Sequence, residues 1–360
     1  MASSSAPAAA PGPVPSGRQR IASAAGDRSL SEIEVAWADH LGHTLGKRLP
    51  AAGFLEQPTG ERVGAAAVPI KVLCRLLGVP EHDEGLLIDL GDQMIANTDP
   101  DLASVLLDGG ESEQYRLLPF RSPAALQMFD YSRRLSQARQ RQPRPDLVTA
   151  LVQGTIGGRP LPDREIDAMF LLLVAAGNET TRQAIALGVQ ALLDHPGQIA
   201  VLHSADDRGW RTAVEELLRW TTPLHHFRRT ATRDVELGRS KIAAGDKVVV
   251  WYTSANRDEN VFRDPYRLDL RRSPNPHTTF GRGGPHRCLG EHLARLELRV
   301  LLQELLPVLP RLEPDGEPAR IRSNFTNGLK QLPVRISCRE KTADAAETRP
   351  DHGGQPPAGP

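Results

Sequence analysis

One stretch of the chain dominates its interpretation: Phe280-Gly281-Arg282-Gly283-Gly284-Pro285-His286-Arg287-Cys288-Leu289-Gly290. A glycine-rich loop delivers one cysteine to the start of a helix-like apolar pattern, and aromatic and basic residues precede it. The N-terminus of a helix carries unpaired N–H donors and the positive end of the helix dipole, which favour a thiolate. We therefore expect the N–H groups of Leu289 and Gly290 to donate to Cys288 and to lower the pKa of its thiol. The alternative is a buried structural cysteine in a turn.

A second stretch, Ala176-Gly177-Asn178-Glu179-Thr180-Thr181, interrupts a long apolar helix. Threonine is a weak helix former and a buried carboxylate is costly, so Glu179 beside Thr180 conflicts with the local preference for a helix. Gly177 weakens the helix by about 1 kcal/mol relative to alanine. These residues predict a local bulge or widened turn, which is common at functional sites. The alternative is a kinked helix in which the threonine hydroxyl binds the carbonyl four residues earlier.

Taken together, the two stretches resemble the cytochrome P-450 family, the haem-thiolate monooxygenases. In that family the cysteine that matches Cys288 is the axial ligand of the haem iron, and its thiolate pushes electron density toward O–O cleavage. The resemblance implies haem b as the cofactor. Three further residues match positions beside the haem: Phe280, Gly281 and Gly177. By the same resemblance, Thr180 orients a water or the bound oxygen, and Glu179 relays protons to it.

A third pattern, Glu216-Leu217-Leu218-Arg219, places a carboxylate and a guanidinium on one helix face. By itself this spacing is a weak signal, because an exposed pair contributes less than about 1 kcal/mol. The resemblance implies that Glu216 and Arg219 form a buried structural pair that locks the cysteine loop beneath the haem.

The two haem propionates need partners if the cofactor is enclosed, and arginine matches a carboxylate bidentately. By resemblance, His286 and Arg229 hold the propionates. Arg228 is the competing choice for the position given to Arg229.

The composition excludes several other classes of protein. The 360 residues carry 44 basic and 44 acidic side chains, so no sequence-wide charge favours nucleic acid or an anionic membrane. The three cysteines, Cys74, Cys288 and Cys338, are too few for a disulfide framework and fit a reducing compartment. The longest apolar run, Ala168 to Ala176, is too short to span a bilayer, and the N-terminus lacks the apolar core of a signal peptide. We expect a cytoplasmic protein without a membrane anchor.

Hydrophobic periodicity predicts a mainly α fold with a small β region. Residues 1–28 and 339–360 are expected to be disordered, and residues 29–338 to form one domain. Helices are predicted at residues 69–77, 146–152, 163–194 with Asp163 as N-cap, and 213–220. A helix after the cysteine presents one apolar face of Leu293, Leu296, Val300 and Leu301. Strands are predicted at residues 235–237 and 247–252, paired as a hairpin around 244–246, and at 333–336.

The resemblance implies the cytochrome P-450 fold over roughly residues 31–336. The family's N-terminal β-sheet and helices A to C are largely missing before that point, although residues 17–23 resemble the end of helix C. Part of the roof of the substrate pocket would then be absent. Uncoupled oxygen chemistry or poor haem retention is therefore a hypothesis for this chain.

The activity implied by the resemblance is RH + O2 + 2 e− + 2 H+ giving ROH + H2O. Electrons would come from a separate ferredoxin and ferredoxin reductase, since no flavin or nicotinamide domain is recognisable in the sequence. A basic docking patch near the cysteine is predicted at Arg272, Arg282 and Arg287. Two alternatives stay open: a truncated, poorly active or non-catalytic haem-binding protein, and a peroxygenase, which would need no relay through Glu179 and Thr180.

The substrate is expected to be a hydrophobic small molecule such as a sterol, terpenoid or lipid. The sequence near the cysteine and in residues 323–335 resembles that of an actinobacterial subgroup that oxidises sterol side chains and methyl-branched lipids. Phe325, Leu173 and Val174 are candidates for the pocket wall. Packing in the core explains Leu173 and Val174 equally well.

Overall fold

The computed structural model describes residues 32–38, 44–50 and 68–336, with Gly283 excepted. The chain forms two compact units, Met1–Glu61 and Arg62–Pro360. In the first unit, β1 (Glu32–Ala38) and β2 (Thr44–Pro50) pair as an antiparallel hairpin. The two segments predicted to be disordered, the stretch compared with helix C, and the cysteine at 338 lie outside the described residues.

The second unit is mainly helical, as the sequence predicted. Its helices are α1 (Val68–Leu77), α2 (Glu84–Ile95), α3 (Ala124–Arg141), α4 (Leu147–Gln153), α5 (Asp163–Asp194), α6 (Pro196–His203), α7 (Asp207–Thr221), α8 (Tyr252–Ala255) and α9 (Glu291–Leu305). Capping side chains start two of these helices: Asp146 accepts the N–H of Thr149 (2.8 Å), and Asp206 accepts the N–H of Gly209 (2.7 Å).

The β region of this unit consists of two-stranded antiparallel ribbons. The pairs are β3 (Thr155–Ile156) with β4 (Arg159–Pro160), β5 (His226–Thr230) with β8 (Lys247–Trp251), β6 (Val235–Leu237) with β7 (Ser240–Ile242), β9 (Leu312–Pro314) with β12 (Val334–Ile336), and β10 (Ala319–Arg320) with β11 (Leu329–Gln331). The predicted hairpin between β6 and β8 is wrong. Gly238, at φ +62°, turns β6 directly into β7, and β8 pairs with β5 from earlier in the chain.

Helix α5 lies at the centre of the unit and packs against α1, α2, α3, α7 and α9. It begins at Asp163 with Pro162 as its N-cap, so the capping role predicted for Asp163 is wrong. The carboxylate instead lies in the first turn, where it complements the helix dipole. Within residues 68–336, no single helix has both the length and the apolar composition to cross a membrane. Helices α5 and α6 would meet both criteria only together, across a 108° bend.

Helix α9 follows the cysteine loop and packs on α5 and α7. Its buried apolar residues are Leu298, Leu301, Leu302 and Leu305. The predicted apolar face is confirmed at Leu301 and wrong at the other three positions: Leu296 is exposed, and Leu293 and Val300 are only half-buried.

Candidate functional site

The cysteine loop (residues 278–290) is folded back on itself by its own backbone. The N–H of Gly281 donates to the carbonyl of Thr278 (2.8 Å), and the N–H of Cys288 donates to the carbonyl of Phe280 (3.0 Å). Two glycines adopt left-handed backbone that favours this residue type: Gly281 (φ +75°) and Gly284 (φ +79°). The expected turn at Gly283 lies outside the described residues. The loop thereby projects its cysteine ahead of α9.

The Cys288 side chain is exposed and lies just ahead of Gly290, the N-cap of α9. The pKa of the thiol is nevertheless raised, first because the surrounding loop partly desolvates it. The N–H of Gly290 lowers the pKa, the carboxylate of Glu291 raises it, and the guanidinium of Arg295 lowers it. The expected depression of this pKa by the protein alone is therefore wrong. A coordinated metal ion is the group that would deprotonate the thiol outright.

Glu216 and Arg219 form a fully buried ion pair behind the loop, with both side chains 0 % exposed. Two parallel hydrogen bonds join them, Nε to Oε2 at 2.7 Å and Nη2 to Oε1 at 2.8 Å. The remaining nitrogen of Arg219 donates to the carbonyls of Asn256 (2.8 Å) and Pro265 (2.9 Å). Asn256 in turn donates through Nδ2 to the hydroxyl of Thr279 (3.0 Å) in the cysteine loop. The pair is thus connected to the loop through one buried amide.

Arg272 was expected to belong to a docking patch, and this prediction is wrong. Its side chain is almost buried, and its Nε donates to both oxygens of Glu216 (3.2 and 3.1 Å). Its other nitrogens donate to backbone carbonyls, including that of Arg263 at 2.6 Å. Arg272 therefore completes the buried cluster around Glu216. Of the predicted patch, Arg282 and Arg287 are exposed, and Arg287 is paired with Glu291 (2.7 Å).

A second ionic cluster, which the sequence analysis did not predict, joins α7 to α9 beside the loop. Glu215 accepts hydrogen bonds from His277 (2.8 Å) and from Nε and Nη2 of Arg295 (2.6 and 3.1 Å). Burial raises the pKa of Glu215, but the hydrogen bonds from His277 and Arg295 outweigh burial and bring this pKa to about 2. The i,i+4 spacing of Glu291 and Arg295 was a readable signal for part of this cluster.

We expect Glu215→Gln to destabilise the protein at neutral pH and to lose this effect in acid. The folded pKa of about 2 lies below the ordinary value of 4.5, so ionised Glu215 stabilises the folded state. A depressed folded pKa contributes stability that is complete above the unfolded value and is lost as pH falls through the folded value. The difference in unfolding free energy between wild type and E215Q, from urea titrations, should therefore shrink between about pH 4.5 and 2. A difference that stays constant over this window contradicts the prediction.

The middle of α5 is an uninterrupted α-helix, so the bulge predicted at Gly177 is wrong. The hydroxyl of Thr180 donates to the carbonyl of Ala176 at 2.7 Å, which is the alternative considered for this stretch. The presence of glycine at position 177 is explained by packing and not by a bulge. A Cβ there would lie 3.0 Å from a methyl carbon of Leu73, so the glycine permits close packing of α1.

Glu179 is buried and is held by its own helix neighbours. Its carboxylate accepts hydrogen bonds from Arg182 and from Nε2 of Gln183 (2.7 Å). Arg182 also pairs with Asp92 of α2 (2.7 Å). Burial raises the pKa of Glu179, while Arg182 opposes this rise. Glu179 and Thr180 are adjacent in the chain but engage different partners. The i,i+3 spacing of Glu179 and Arg182 could have indicated this pair.

One narrow face of α5 is exposed while the rest of the same segment is buried. Leu172 is 54 % exposed, and Ala176 and Thr180 follow it at intervals of four residues on the same face. Val174 is fully buried in the core, and Leu173 packs against that core. The prediction that Val174 lines a pocket is therefore wrong, because core packing accounts for it. An exposed leucine in the central helix marks a surface that a ligand could cover.

The candidate propionate partners lie on β5 and in the cysteine loop. Arg228 and Arg229 are both exposed and stand opposite Val249 and Val248 of β8. Side chains alternate along a strand, so Arg229 shares its face with Phe227. The ring of Phe227 lies 5.9 Å from that of Tyr252, whose hydroxyl borders Gly281. His286 is exposed in the cysteine loop, and the structure brings it no partner among the described residues.

Comparison with known proteins gives a consistent answer. A family model for cytochrome P-450 matches residues 210–334. A methyl-branched lipid omega-hydroxylase from Mycobacterium tuberculosis is 43 % identical over 75 % of this chain and 60 % of that protein. A steroid C26-monooxygenase from the same organism is 35 % identical over 78 % of this chain and 60 % of that protein. The solved structure of a Mycobacterium marinum cytochrome P-450 in complex with pseudoionone matches with a TM-score of 0.69 and 41 % identity, covering 76 % of this chain and 63 % of that chain.

The helical fold around α5, the cysteine loop and these similarities define one class of protein. The chain belongs to the cytochrome P-450 family. Haem b is the cofactor of that family. The chain spans about 60 % of the length of the curated relatives named above.

Proposed function

We propose that this protein is a haem-dependent monooxygenase that inserts one oxygen atom of O2 into a hydrophobic small molecule. Cys288 would be the axial ligand of the iron. The observation that carries the proposal is the cysteine loop itself: two left-handed glycines and two backbone hydrogen bonds present an exposed thiol in front of α9. A cytoplasmic location is part of the proposal, supported by the sparse, odd set of cysteines.

The described residues fit a flat, largely apolar group with two carboxylates. Leu289, directly after the cysteine, is 86 % exposed, and Leu172 on α5 is also exposed, so both offer apolar surface to a ligand. Arg229 and His286 are exposed, and Arg229 donates only to the carbonyl of Arg228 among the described contacts, so both side chains can pair with the propionates. Arg229 is favoured over Arg228 because it shares the face of Phe227, which leads through Tyr252 to the loop. Phe280 and Gly281 would lie against the cofactor.

When bound, haem supplies the iron at which O2 is reduced and from which oxygen is transferred. The protein contributes placed hydrogen-bonding groups. The hydroxyl of Thr180 donates inward to the carbonyl of Ala176, so its lone pairs remain available to accept a hydrogen bond from the exposed side. Burial raises the pKa of Glu179, which favours its carboxylate as a proton carrier, although the nearby Arg182 opposes this rise. Delivery of that proton requires its carboxylate to leave Arg182 and Gln183.

The substrate class follows from the relatives and from one aromatic surface. The similar proteins act, by their names, on methyl-branched lipids and steroids. Phe325 packs edge-on against Phe227 (5.4 Å) and against His226 (5.9 Å), so it lies beside the strand that carries the proposed propionate partner. We infer a sterol, terpenoid or lipid substrate near Phe325 and Leu172.

Electrons would come from a ferredoxin and its reductase. The support is charge: Arg282 and Arg287 are exposed in the cysteine loop, next to the proposed ligand. Arg287 is paired with Glu291, so Arg282 carries the charge of this position that favours an acidic partner and accelerates its encounter. Arg272 has no part in this contact, because it is enclosed with Glu216.

Thr180→Ala is expected to separate oxygen consumption from product formation. With haem, substrate and a ferredoxin system present, the variant should still consume O2, but the fraction recovered as oxygenated product should fall by about tenfold or more, because a positioned proton-transfer group is lost. Hydrogen peroxide should rise in proportion. The measurement is the ratio of product and peroxide to O2 consumed.

Thr212→Ala is the matched control for this experiment. Its hydroxyl also binds the carbonyl four residues earlier (Arg208, 3.1 Å), but it lies on the exposed side of α7. This variant should keep the wild-type ratio. A T180A protein with an unchanged product yield would contradict the role of the hydroxyl.

A second function, a poorly active or non-catalytic haem-binding protein, is favoured by one observation. Leu172 on α5 is 54 % exposed, so in the part of the chain described water reaches the helix proposed to face the substrate. Measurements on one preparation of the wild-type protein distinguish the two functions. A wild-type protein that binds haem stably and forms product without excess peroxide supports the monooxygenase, and stable haem with peroxide alone supports the alternative.

A further inference from the structure

Arg295 on α9 uses all of its guanidinium nitrogens on two carboxylates. Its Nε and Nη2 donate to Glu215 of α7 at 2.6 and 3.1 Å. Its Nη1 donates to Oε2 of Glu291 at 2.8 Å and to the carbonyl of the same residue at 3.3 Å. A planar guanidinium held at three corners cannot rotate, so its plane is fixed relative to α7 and α9.

This fixed plane lies over the aromatic ring of the cysteine loop. The central carbon of Arg295 is 4.4 Å from the ring centroid of Phe280. A cation over a ring face at this distance is attracted to it. The carbonyl of Phe280 accepts the N–H of Cys288 at 3.0 Å. Phe280 therefore links the two groups: its ring contacts the guanidinium of Arg295, and its carbonyl binds the N–H of Cys288.

The carboxylates that bind Arg295 also bind residues at both ends of the cysteine loop. At the start, His277 donates to Glu215 (2.8 Å), and its other ring nitrogen accepts the N–H of Thr279 (3.3 Å). At the end, Arg287 donates to both oxygens of Glu291 (2.7 and 2.9 Å). Among the side chains just named, only Arg295 binds both Glu215 and Glu291. Removing Arg295 would separate the Glu215 anchor from the Glu291 anchor.

We propose that Arg295 is a positioning residue for the cysteine ligand: it clamps Phe280 and both ends of the loop, and its charge balances Glu215 and Glu291 beside the loop. The second part of this inference rests on the proposed function, because it concerns the ligated state. The first part concerns the chain alone. The two parts can be measured separately.

Arg299 provides a matched control on the same helix. It too connects α9 to α7, through Asp207 at 2.6 Å, and its side chain is 26 % exposed against 27 % for Arg295. Among the described contacts it reaches no residue of the cysteine loop. Arg299→Met therefore removes a comparable bridge between the two helices and leaves the clamp intact.

The first test is hydrogen exchange in the full-length chain before haem is added. Exchange at the N–H of Cys288 reports opening of its bond to Phe280. We expect Arg295→Met to accelerate this exchange by about tenfold or more and Arg299→Met to change it by less than about twofold. The N–H groups of Val174 and its neighbours in α5 serve as the reference for global opening. Equal exchange in R295M and R299M would overturn the clamp.

The second test uses the haem-loaded chain and its reduction potential. Without Arg295, Glu215 and Glu291 lose a compensating charge beside the loop, and added negative charge disfavours the reduced iron. Arg295→Met should therefore shift the potential to a more negative value while R299M leaves it unchanged. Arg295→Lys keeps the charge but loses the planar fork, so it should restore the potential without restoring the slow exchange. An unchanged potential in R295M would overturn the electrostatic part.

The outcomes also distinguish this inference from the proposed function. If wild-type protein binds no thiolate-ligated haem, the proposed function fails, but the exchange measurements still decide the clamp. If wild type shows thiolate-ligated haem and R295M matches R299M in exchange and potential, only the role of Arg295 fails. Should R295M not fold, R295K gives the exchange result on its own.

Discussion

Cys288→Ala is expected to abolish the red-shifted Soret band of the reduced carbon monoxide complex and all oxygenation. The axial thiolate is what shifts this band, and no other described cysteine can replace it. Cys74 is fully buried in the core, and burial together with Glu84 and Asp83 raises the pKa of its thiol to about 12. The measurement is a difference spectrum of the reduced protein with and without carbon monoxide.

Cys74→Ala is the control for this experiment. It removes a sulfur from the apolar cluster between α1 and α5, so the protein should lose some stability but keep the band. If the purified C288A protein stays red and still oxygenates a substrate, Cys288 is not the ligand, and the proposed function is wrong in its central element.

Arg219→Met is expected to be the most destabilising single change outside the apolar core. It leaves the fully buried carboxylate of Glu216 with Arg272 as its one remaining charged partner in the described cluster. Breaking a buried ion pair by removing one partner costs about 3–5 kcal/mol, because a buried charge is left uncompensated. It also releases the carbonyls of Asn256 and Pro265. Urea unfolding should show this loss, and haem binding should weaken with it.

Arg211→Met on the same helix is the comparison. Its partner Asp207 is exposed, so the pair is screened by water and its removal should leave the unfolding midpoint unchanged. A loss of less than about 1 kcal/mol in R219M would mean that the buried pair is dispensable.

Helices α1, α4, α5, α7 and α9 could be predicted because local signals specify them, whereas α2, α3 and α6 were not predicted. The period of apolar residues, the capping Asp146 and the Pro196 after α5 mark the ends of helices within a few residues. Strand partners were predicted less well. Residues of β8 alternate in the same way whether they pair with β6 or with β5, and only the tertiary fold brings β5 alongside. Alternation identifies a strand and one buried face, but not its neighbour.

In the site, the residue types were predicted better than their interactions. The sequence singled out Glu179, Thr180, Glu216, Arg219 and the cysteine loop. It assigned Arg272 to a docking patch with Arg282 and Arg287, because positive charge near the cysteine would attract an acidic partner. The carboxylate partner of Arg272 lies 56 positions away in the chain. Arg295, the partner of Glu215 on α9, is likewise 80 positions distant in the chain, so local spacing could not indicate this pair.

The sequence by itself determined the family and the identity of the proposed ligand. A cysteine, several glycines and an aromatic residue within one short loop are a local arrangement, and local arrangements are written in consecutive residues. Only the tertiary structure decided which charges are enclosed, which face of α5 is open, and that Arg295 lies over Phe280. The physical reason is that burial and ion pairing depend on which distant segments pack together, and a charge has the same letter in the sequence whether water or a partner surrounds it.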